Sequence, residues 1–249
     1  MFITCLVDLV RPEVGFASLE LLQKGGCEVI IPEAQTCCGQ PAWNSGDAAT
    51  TRPIAKQVIQ TFAEFDYVVV PSGSCAGMIK IHYPELFKDD LLWQQQALSL
   101  AEKTWELTSF LSEVLRLQPV NRAGRSTVTY HDSCSGLREL GVKQQPRDLL
   151  ERMGSCQLNE LTDAEVCCGF GGTFCVKYGE ISERIVDEKI SNIESTRAEV
   201  LLGGDLGCLM NIAGRMKRKG GAVRVFHIAE FLAGHTAGDG IGEPVEDES

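Results

Sequence analysis

The sequence lacks the features of a membrane protein or a secreted protein. None of its apolar runs approaches the ~18 consecutive residues that a membrane-spanning helix needs. The opening residues, MFITCLVDLVRPEVG, have no basic stretch, and Asp8 and Arg11 interrupt their apolar run, so we expect no signal peptide. Cysteine accounts for only 11 of 249 residues, well below the roughly 8–10% of a disulfide scaffold. We therefore expect a cytoplasmic protein that uses its thiols for metal binding or catalysis rather than for disulfides.

Positive charge is also scarce in this chain. It contains 34 acidic and 23 basic side chains, which gives a formal net charge of −11. Such a protein is a poor partner for nucleic acid or for an anionic membrane surface. The hydrophobic share of 44% is that of an ordinary folded protein, and the length allows one large domain or two ordinary ones.

A nucleotide-binding signature is missing as well. The glycine-rich stretch GFGG at residues 169–172 matches neither the G-x-G-x-x-G turn nor the G-x4-G-K-[ST] loop. We therefore expect neither NAD nor ATP as a bound cofactor, and a flavin fingerprint is not present either.

What the sequence does contain is a pattern of cysteines that occurs twice. Each copy has a single cysteine, then a vicinal pair followed by glycine, then another single cysteine, and the copies are offset by 129 to 133 residues. The cysteines concerned are Cys5, Cys37, Cys38 and Cys75 in the first half and Cys134, Cys167, Cys168 and Cys208 in the second half. Four positions aligned in the same order predict an internal duplication.

Strands and helices alternate along both halves. In the first half, apolar patterns predict strands at 2–7, 27–32 and 67–70 and helices at 15–25 and 54–65. In the second half they predict strands at 127–131, 157–161 and 199–202 and helices at 146–153 and 181–194. This alternation predicts an α/β fold of two tandem Rossmann-like domains with parallel sheets. We expect the domains at 1–120 and 121–237, joined by a linker at 116–126, and an acidic disordered tail at 238–249.

Each of the repeated cysteines lies in a turn that follows a predicted strand. In open α/β sheets, ligands bind at the carboxyl ends of the strands, where neighbouring turns meet. We therefore expect the four cysteines of each half to converge into one site. Four thiolates in one place repel one another and oxidise readily unless they bind a metal or a cluster.

An all-sulfur ligand set suits zinc or an iron–sulfur cluster. Structural zinc sites usually take their cysteines from C-x2-4-C knuckles, whereas vicinal side chains diverge and bind one small ion poorly. A cluster with several iron atoms can accept adjacent thiolates on different irons, so the vicinal pairs favour iron–sulfur over zinc. The glycines after each pair would aim backbone N–H groups at the anionic cluster.

The pattern resembles that of the CCG family of cysteine-rich domains. The segments PSGSCAGMI around Cys75, CCGFGGTF from Cys167 and LGCLMNI around Cys208 carry the resemblance, which extends from Phe2 to about Leu232. The family includes the CCG-containing component of heterodisulfide reductase and the iron–sulfur subunit of glycolate oxidase, and the chain is most similar to its lactate-utilisation protein A group.

This resemblance implies one [4Fe–4S]-type cluster per domain, held by the eight repeated cysteines. It also implies electron transfer within a cytoplasmic complex, in which two other subunits take part in oxidising L-lactate to pyruvate. The chain would then be one subunit of an oxidoreductase rather than a complete enzyme. An iron–sulfur centre passes one electron at a time, so a further group would have to accept a hydride.

One departure from the family pattern keeps other functions open. The heterodisulfide reductase version ends each motif with C-x-x-C and has five cysteines per cluster, whereas this chain has Met78 and Asn211 at those last positions. A thiol/disulfide redox subunit is therefore a disfavoured alternative. A non-redox binding module braced by a metal is the third hypothesis.

Several residues near the motifs have ordinary structural interpretations. Cys27 and Cys156 precede their vicinal pairs by ten and eleven residues and are interpreted as core thiols, because free cysteine packs as a small hydrophobe. Cys175 has no counterpart in the first half and is interpreted as a small core residue or a spare thiol. His131, at a predicted strand end, is either a structural histidine or a proton donor beside the cluster.

Overall fold

The structure of the protein is a computed structural model, which describes residues 1–119 and 126–243. In the described part of the first half, helices surround a short parallel sheet. Its elements are α1 (Cys5–Val10), α2 (Pro12–Lys24), α3 (Gln40–Asn44), α4 (Ala48–Thr61), β1 (Val68–Val70), α5 (Gly73–Gly77), α6 (Tyr83–Leu86), α7 (Leu91–Lys103), β2 (Thr104–Glu106) and α8 (Leu107–Ser109), with π-helical turns at Met78–His82 and Phe110–Val114. Strand β1 pairs with β2 in parallel, with Val68 opposite Thr104.

The second half forms a larger parallel sheet. Its elements are β3 (Ser126–His131), α9 (Cys134–Leu140), α10 (Gln144–Met153), β4 (Cys156–Leu158), α11 (Phe174–Lys177), α12 (Gly179–Ser195), β5 (Val200–Gly203), α13 (Leu206–Arg218), β6 (Arg224–His227) and α14 (Ile228–Ala233). The strand order is β4-β3-β5-β6, and each neighbouring pair is parallel. Strands β1 and β5 are apolar runs buried on both faces, as expected when helices cover a parallel sheet. The α/β class with parallel sheets is confirmed.

Two strands predicted for the first half are absent from its described residues. The predicted strand at 2–7 gives way to α1, because Thr4 Oγ1 accepts the N–H of Val7 and caps a helix that begins at Cys5. Residues 27–32 form no strand either. They still lie beside the start of the chain, since the amino group of Met1 donates to Ile30 O at 2.6 Å. Phe2 N–H in turn donates to Val69 O at 2.9 Å, so single hydrogen bonds join the start of the chain to Ile30 and to β1.

One apolar core contains residues from both halves. Val7 and Leu21 of the first half and Leu209 and Phe226 of the second are buried in the same continuous cluster. A second cluster, which includes Phe62, belongs to the first half. Because the larger core crosses the expected boundary near residue 120, the division into domains at 1–120 and 121–237 remains a prediction, as does the internal duplication.

The expected linker and tail fall partly outside the described residues. Of the linker at 116–126, residues 120–125 are not described, and of the tail at 238–249, residues 244–249 are not described. The structure continues beyond the expected boundary at 237, however. Ile241 is buried, and its N–H donates to Val225 O at 2.8 Å because the chain passes alongside β6. Within the described ranges, we find no helix that is both long and apolar enough to cross a membrane.

Candidate metal centres

The four repeated cysteines of the first half lie together beyond the carboxyl end of β1. Cys5 is the first residue of α1, and Cys75 is the third residue of α5. Cys5 Sγ lies 3.8 Å from Cys37 Sγ, and Cys38 Sγ lies 3.2 Å from Cys75 Sγ. Both distances are well beyond the ~2.05 Å of a disulfide bond, and all the cysteines are free. Residues distant in sequence therefore form one group of thiols, which we call the first cysteine group.

Helix caps and one glycine hold this group in place. Ser72 Oγ accepts the N–H of Cys75 at 3.3 Å, as Thr4 caps the helix that carries Cys5. Gly39 has a φ of 83°, in the left-handed region that glycine adopts without strain. That conformation allows the Gly39 N–H to donate to Cys37 Sγ at 3.4 Å. The CCG sequence is thus a turn that points a backbone donor at a thiol.

The second cysteine group, Cys134, Cys167, Cys168 and Cys208, is built in the same way. Cys134 is the first residue of α9, which Ser133 caps by accepting Gly136 N–H at 3.2 Å, and Cys208 is the third residue of α13. The side chain of Cys134 lies next to that of Cys167, and Cys168 Sγ lies within 4.8 Å of Cys208 Sγ.

The second CCG turn supplies two backbone donors. Gly169 has a φ of 81° and donates its N–H to Cys167 Sγ at 3.3 Å. Phe170 N–H donates to Cys168 Sγ at 3.4 Å. Both vicinal pairs therefore sit in a left-handed turn with at least one N–H group directed at sulfur.

The thiols within each group strongly perturb one another. Contacts with Cys38 and Cys5 lower the pKa of Cys37 well below its ordinary value. The pKa of Cys5 is raised, chiefly by its hydrogen bond to Cys37. In the second group, Cys134 and Cys168 lower the pKa of Cys167 in the same manner. In each group the pKa of one cysteine is therefore lowered and that of its neighbour is raised by their mutual contact.

The two halves meet at these groups. Asp205, at the end of β5, accepts the N–H of Ser74 at 2.8 Å and the hydroxyl of Ser72 at 3.3 Å. Burial raises the pKa of Asp205, and its hydrogen bonds to Ser74 oppose the rise. A cavity of about 150 Å³ lies over the first cysteine group, and Phe170 and Gly172 of the second half line its far wall. The first group therefore faces a cleft between the halves.

The residues present fit an iron–sulfur group. Each site offers four thiols in contact, free of disulfide bonds, with backbone N–H groups directed at the sulfur atoms. Soft thiolates suit iron–sulfur or zinc, and hydrogen bonds from N–H groups to sulfur are typical of iron–sulfur sites. The adjacent side chains of each vicinal pair contact different partners: Cys37 contacts Cys5, whereas Cys38 contacts Cys75. That divergence suits a group with several metal atoms.

The three cysteines outside the two groups are all half-buried. Cys27 and Cys156 are half-buried and pack against the main core. Cys175 is also half-buried, and its Sγ contacts Gly172 O at 3.7 Å. Asn211 donates its side-chain amide to Cys168 O at 2.8 Å, so it supports the second CCG turn.

His131 is buried beside the second cysteine group. It is 1% exposed, and a ring nitrogen lies within 4.8 Å of both Cys168 Sγ and Cys208 Sγ. Over residues 1–119 and 126–243, neither ring nitrogen has a hydrogen-bond partner. Burial, aided by the positive charge of Lys189, lowers the pKa of His131 to about 3.

Sequence reasoning overlooked Lys189, a fully buried lysine near the same group. Its Nζ donates to Asp163 O at 2.9 Å and to Ala164 O at 3.1 Å. Burial lowers the pKa of Lys189, whereas the charge of Cys168 raises it. The signal was available in the sequence, because Lys189 lies between Val186 and Ile190 on the apolar face of α12.

Known proteins are similar to this chain over most of its length. The family model described as "CCG: Cysteine-rich domain" matches residues 1–80 and 128–213, which include all eight repeated cysteines. The lactate utilization protein A of Halalkalibacterium halodurans is 53% identical over 93% of this chain and 95% of the relative. The protein of the same name from Geobacillus kaustophilus is 53% identical over 93% and 97%, and that from Bacillus subtilis is 50% identical over 93% and 97%.

Proposed function

The chain belongs to the CCG family of cysteine-rich domains, and on this premise we propose that it is an iron–sulfur electron-transfer subunit in the oxidation of L-lactate to pyruvate. The observation that carries the proposal is the convergence of eight thiols into two groups with backbone donors directed at sulfur. A protein with only a structural role would not need two such groups, one of which faces the cleft between the halves.

Each half would hold one cluster of the [4Fe–4S] type. The proposed ligands are Cys5, Cys37, Cys38 and Cys75 for the first and Cys134, Cys167, Cys168 and Cys208 for the second. Such a cluster supplies one-electron transfer when bound. The chain's own contribution is to hold the thiols together through its helix caps. The N–H groups of Gly39 and Gly169 would stabilise negative charge on sulfur.

The substrate class comes from the relatives. Proteins that match this chain over 95 to 97% of their own length carry the name lactate utilization protein A. Oxidation of L-lactate to pyruvate releases two electrons and two protons, and two one-electron centres together can accept both electrons. We place the group that first takes the hydride in one of two partner subunits of a cytoplasmic complex, since this chain has no nucleotide-binding glycine motif.

Complementation tests this proposal. A Bacillus subtilis strain lacking its lactate utilization protein A, supplied with this chain, should grow on L-lactate as the sole carbon source. Cys75→Ser and Cys208→Ser should each abolish that growth, because each removes a proposed ligand. The matched control is Cys27→Ser, a half-buried thiol outside both groups, which should leave growth intact. Growth supported equally by all four forms would contradict the proposed role of the clusters.

A further inference from the structure

The two cysteine groups share a scaffold but differ in the residue three positions before their first cysteine. In the first half that residue is Phe2, which is fully buried and packs against Phe62 with ring centroids 5.6 Å apart. In the second half it is His131, equally buried, with a ring nitrogen within 4.8 Å of two thiols of its group. An apolar ring has thus been exchanged for a hydrogen-bonding one at the same place in the scaffold.

The buried imidazole of His131 lacks a partner among the described residues. A buried polar group without a hydrogen bond is destabilising, and in native proteins such a group calls for an explanation, such as a functional role or a bound water or ion. The sulfur atoms of Cys168 and Cys208 lie within 4.8 Å of a nitrogen of this ring. A cluster held there would offer an anionic acceptor to the ring N–H.

Two further features add positive charge and donors to the second group alone. Lys189, buried 21 residues after Cys168, carries an ammonium group whose two hydrogen bonds go to neutral carbonyls. At the same offset from Cys38 in the first half lies Ile59, a buried apolar residue. The N–H of Phe170 also donates to Cys168 Sγ, in addition to the glycine donor that both turns possess.

The nearby carboxylates do not cancel this difference. Asp132, which adjoins His131, is buried but forms a two-point ion pair with Arg147, with both N···O distances 2.9 Å. Asp205 lies between the halves, where it accepts hydrogen bonds from Ser72 and Ser74 of the first half. Its negative charge acts on Cys134 and Cys208 of the second group and opposes the charge of Lys189 there, but it leaves the hydrogen bond from His131 unaffected.

We propose that the two centres are electrochemically inequivalent, and that the second-half centre has the higher reduction potential because His131 donates an N–H···S hydrogen bond to it beside the Lys189 ammonium. Hydrogen bonds to sulfur and nearby positive charge stabilise the more negative, reduced form of a cluster. One electron added to the protein then resides in the second half, and a second electron enters the first half only at lower potential. This inference rests on the proposed function.

An anaerobic redox titration followed by EPR tests the assignment. The wild-type protein should show two reduction steps, and Cys208→Ser should remove or alter the step at higher potential. His131→Phe, which introduces the residue found in the first half, should lower the potential of the higher step and leave the potential of the lower step unchanged. His131→Gln, which keeps an N–H donor, should lower the potential of the higher step by less than His131→Phe does. The control is His227→Asn, a buried histidine that caps α14 and should move neither step.

A measurement on the unaltered protein guards against variants that fail to fold. Pulsed EPR with selectively ¹⁵N-labelled histidine should detect a weak nitrogen coupling to the centre that is reduced first. No histidine coupling, or the strong coupling of a directly bound nitrogen, would overturn the proposed hydrogen bond. Reduction of the first-half centre ahead of the second would overturn the order of potentials. Those outcomes require clusters to be present, whereas a protein without iron and sulfide would instead refute the proposed function.

Discussion

The two cysteine groups are alike in backbone and unlike in surroundings. Each begins at the first residue of a capped helix, turns at a left-handed glycine and ends at the third residue of another helix. Around this shared frame, the first half has apolar Phe2 and Ile59 at the positions that His131 and Lys189 occupy in the second half. The backbone thus positions the thiols in the same way in both halves, whereas the side chains next to the two groups differ.

The largest effect should come from removing the charge partner of Asp132 in the second half. Arg147→Met would leave Asp132 buried without its cation, which should reduce the free energy of unfolding by about 3–5 kcal/mol. Ile3 occupies the corresponding place in the first half, so the first half has no counterpart of this pair at that position. Urea denaturation measures the change.

The matched control for this substitution is Lys88→Met, which breaks an exposed ion pair with Glu85. Its loss should leave the urea midpoint almost unchanged, because exposed pairs contribute little. If both variants unfolded at the same urea concentration, the buried pair would have no special role in the second half.

The glycines of the two CCG turns should respond differently to alanine. Both adopt a positive φ, which penalises any Cβ by ~1–2 kcal/mol. At Gly169 the added Cβ would also lie 2.8 Å from Ser182 O, whereas at Gly39 the nearest atoms are side-chain carbons at 3.4 Å. We expect Gly169→Ala to destabilise the protein by about 3 kcal/mol and Gly39→Ala by about 1 kcal/mol.

Thermal unfolding of the two glycine variants, side by side, measures this difference. A Gly39→Ala protein that unfolds at a lower temperature than Gly169→Ala would reverse the comparison. Each variant also reports on its own cysteine group, because the substituted turn directs an N–H at Cys37 or Cys167.

The smallest effect concerns a surface contact that only one half has. In the second half Asp187 and Arg215 form an ion pair between α12 and α13, 2.8 Å apart. At the same offsets from the first-half cysteines, Gln57 and His82 instead contact Ala34 and Glu139. The hydrogen bond from Arg215 lowers the pKa of Asp187 below its ordinary value. The contribution of this ion pair to the free energy of unfolding is therefore present above pH ~4 and declines as the pH falls below that.

Asp187→Asn should therefore lower the unfolding temperature slightly at neutral pH. The difference from wild type should shrink in acid, as the wild-type carboxylate is protonated. A difference that grew below pH ~4 would contradict the sign of this linkage. Calorimetric scans at a series of pH values provide the measurement.

Much of the two cysteine groups could be predicted from the sequence, because their cysteines repeat at spacings of one strand and one helix. The convergence of Cys5 with Cys37 and of Cys38 with Cys75 was predicted from the order of the expected strands, although the structure has no strand over 2–7 or 27–32. The predicted strand at 2–7 was wrong because Thr4 caps a helix in the middle of an apolar run. A local capping bond therefore overrode the hydrophobic pattern.

Other features depend on contacts that no local pattern contains. Strands β2 and β6 are only three and four residues long and end in polar residues, Glu106 and His227, so their alternation is too short to recognise. The contact of Asp205 with Ser74 joins residues 131 positions apart and arises only when the halves pack together. The same packing brings Phe170 to the cavity over the first cysteine group.

Metal and sulfide analysis of the anaerobically purified protein, with an EPR spectrum after reduction, tests the central claim most directly. Two [4Fe–4S]-type clusters predict about eight iron atoms and about eight acid-labile sulfides per chain, with two signals that form at different potentials. A colourless protein that contains zinc in place of iron and sulfide would contradict the account.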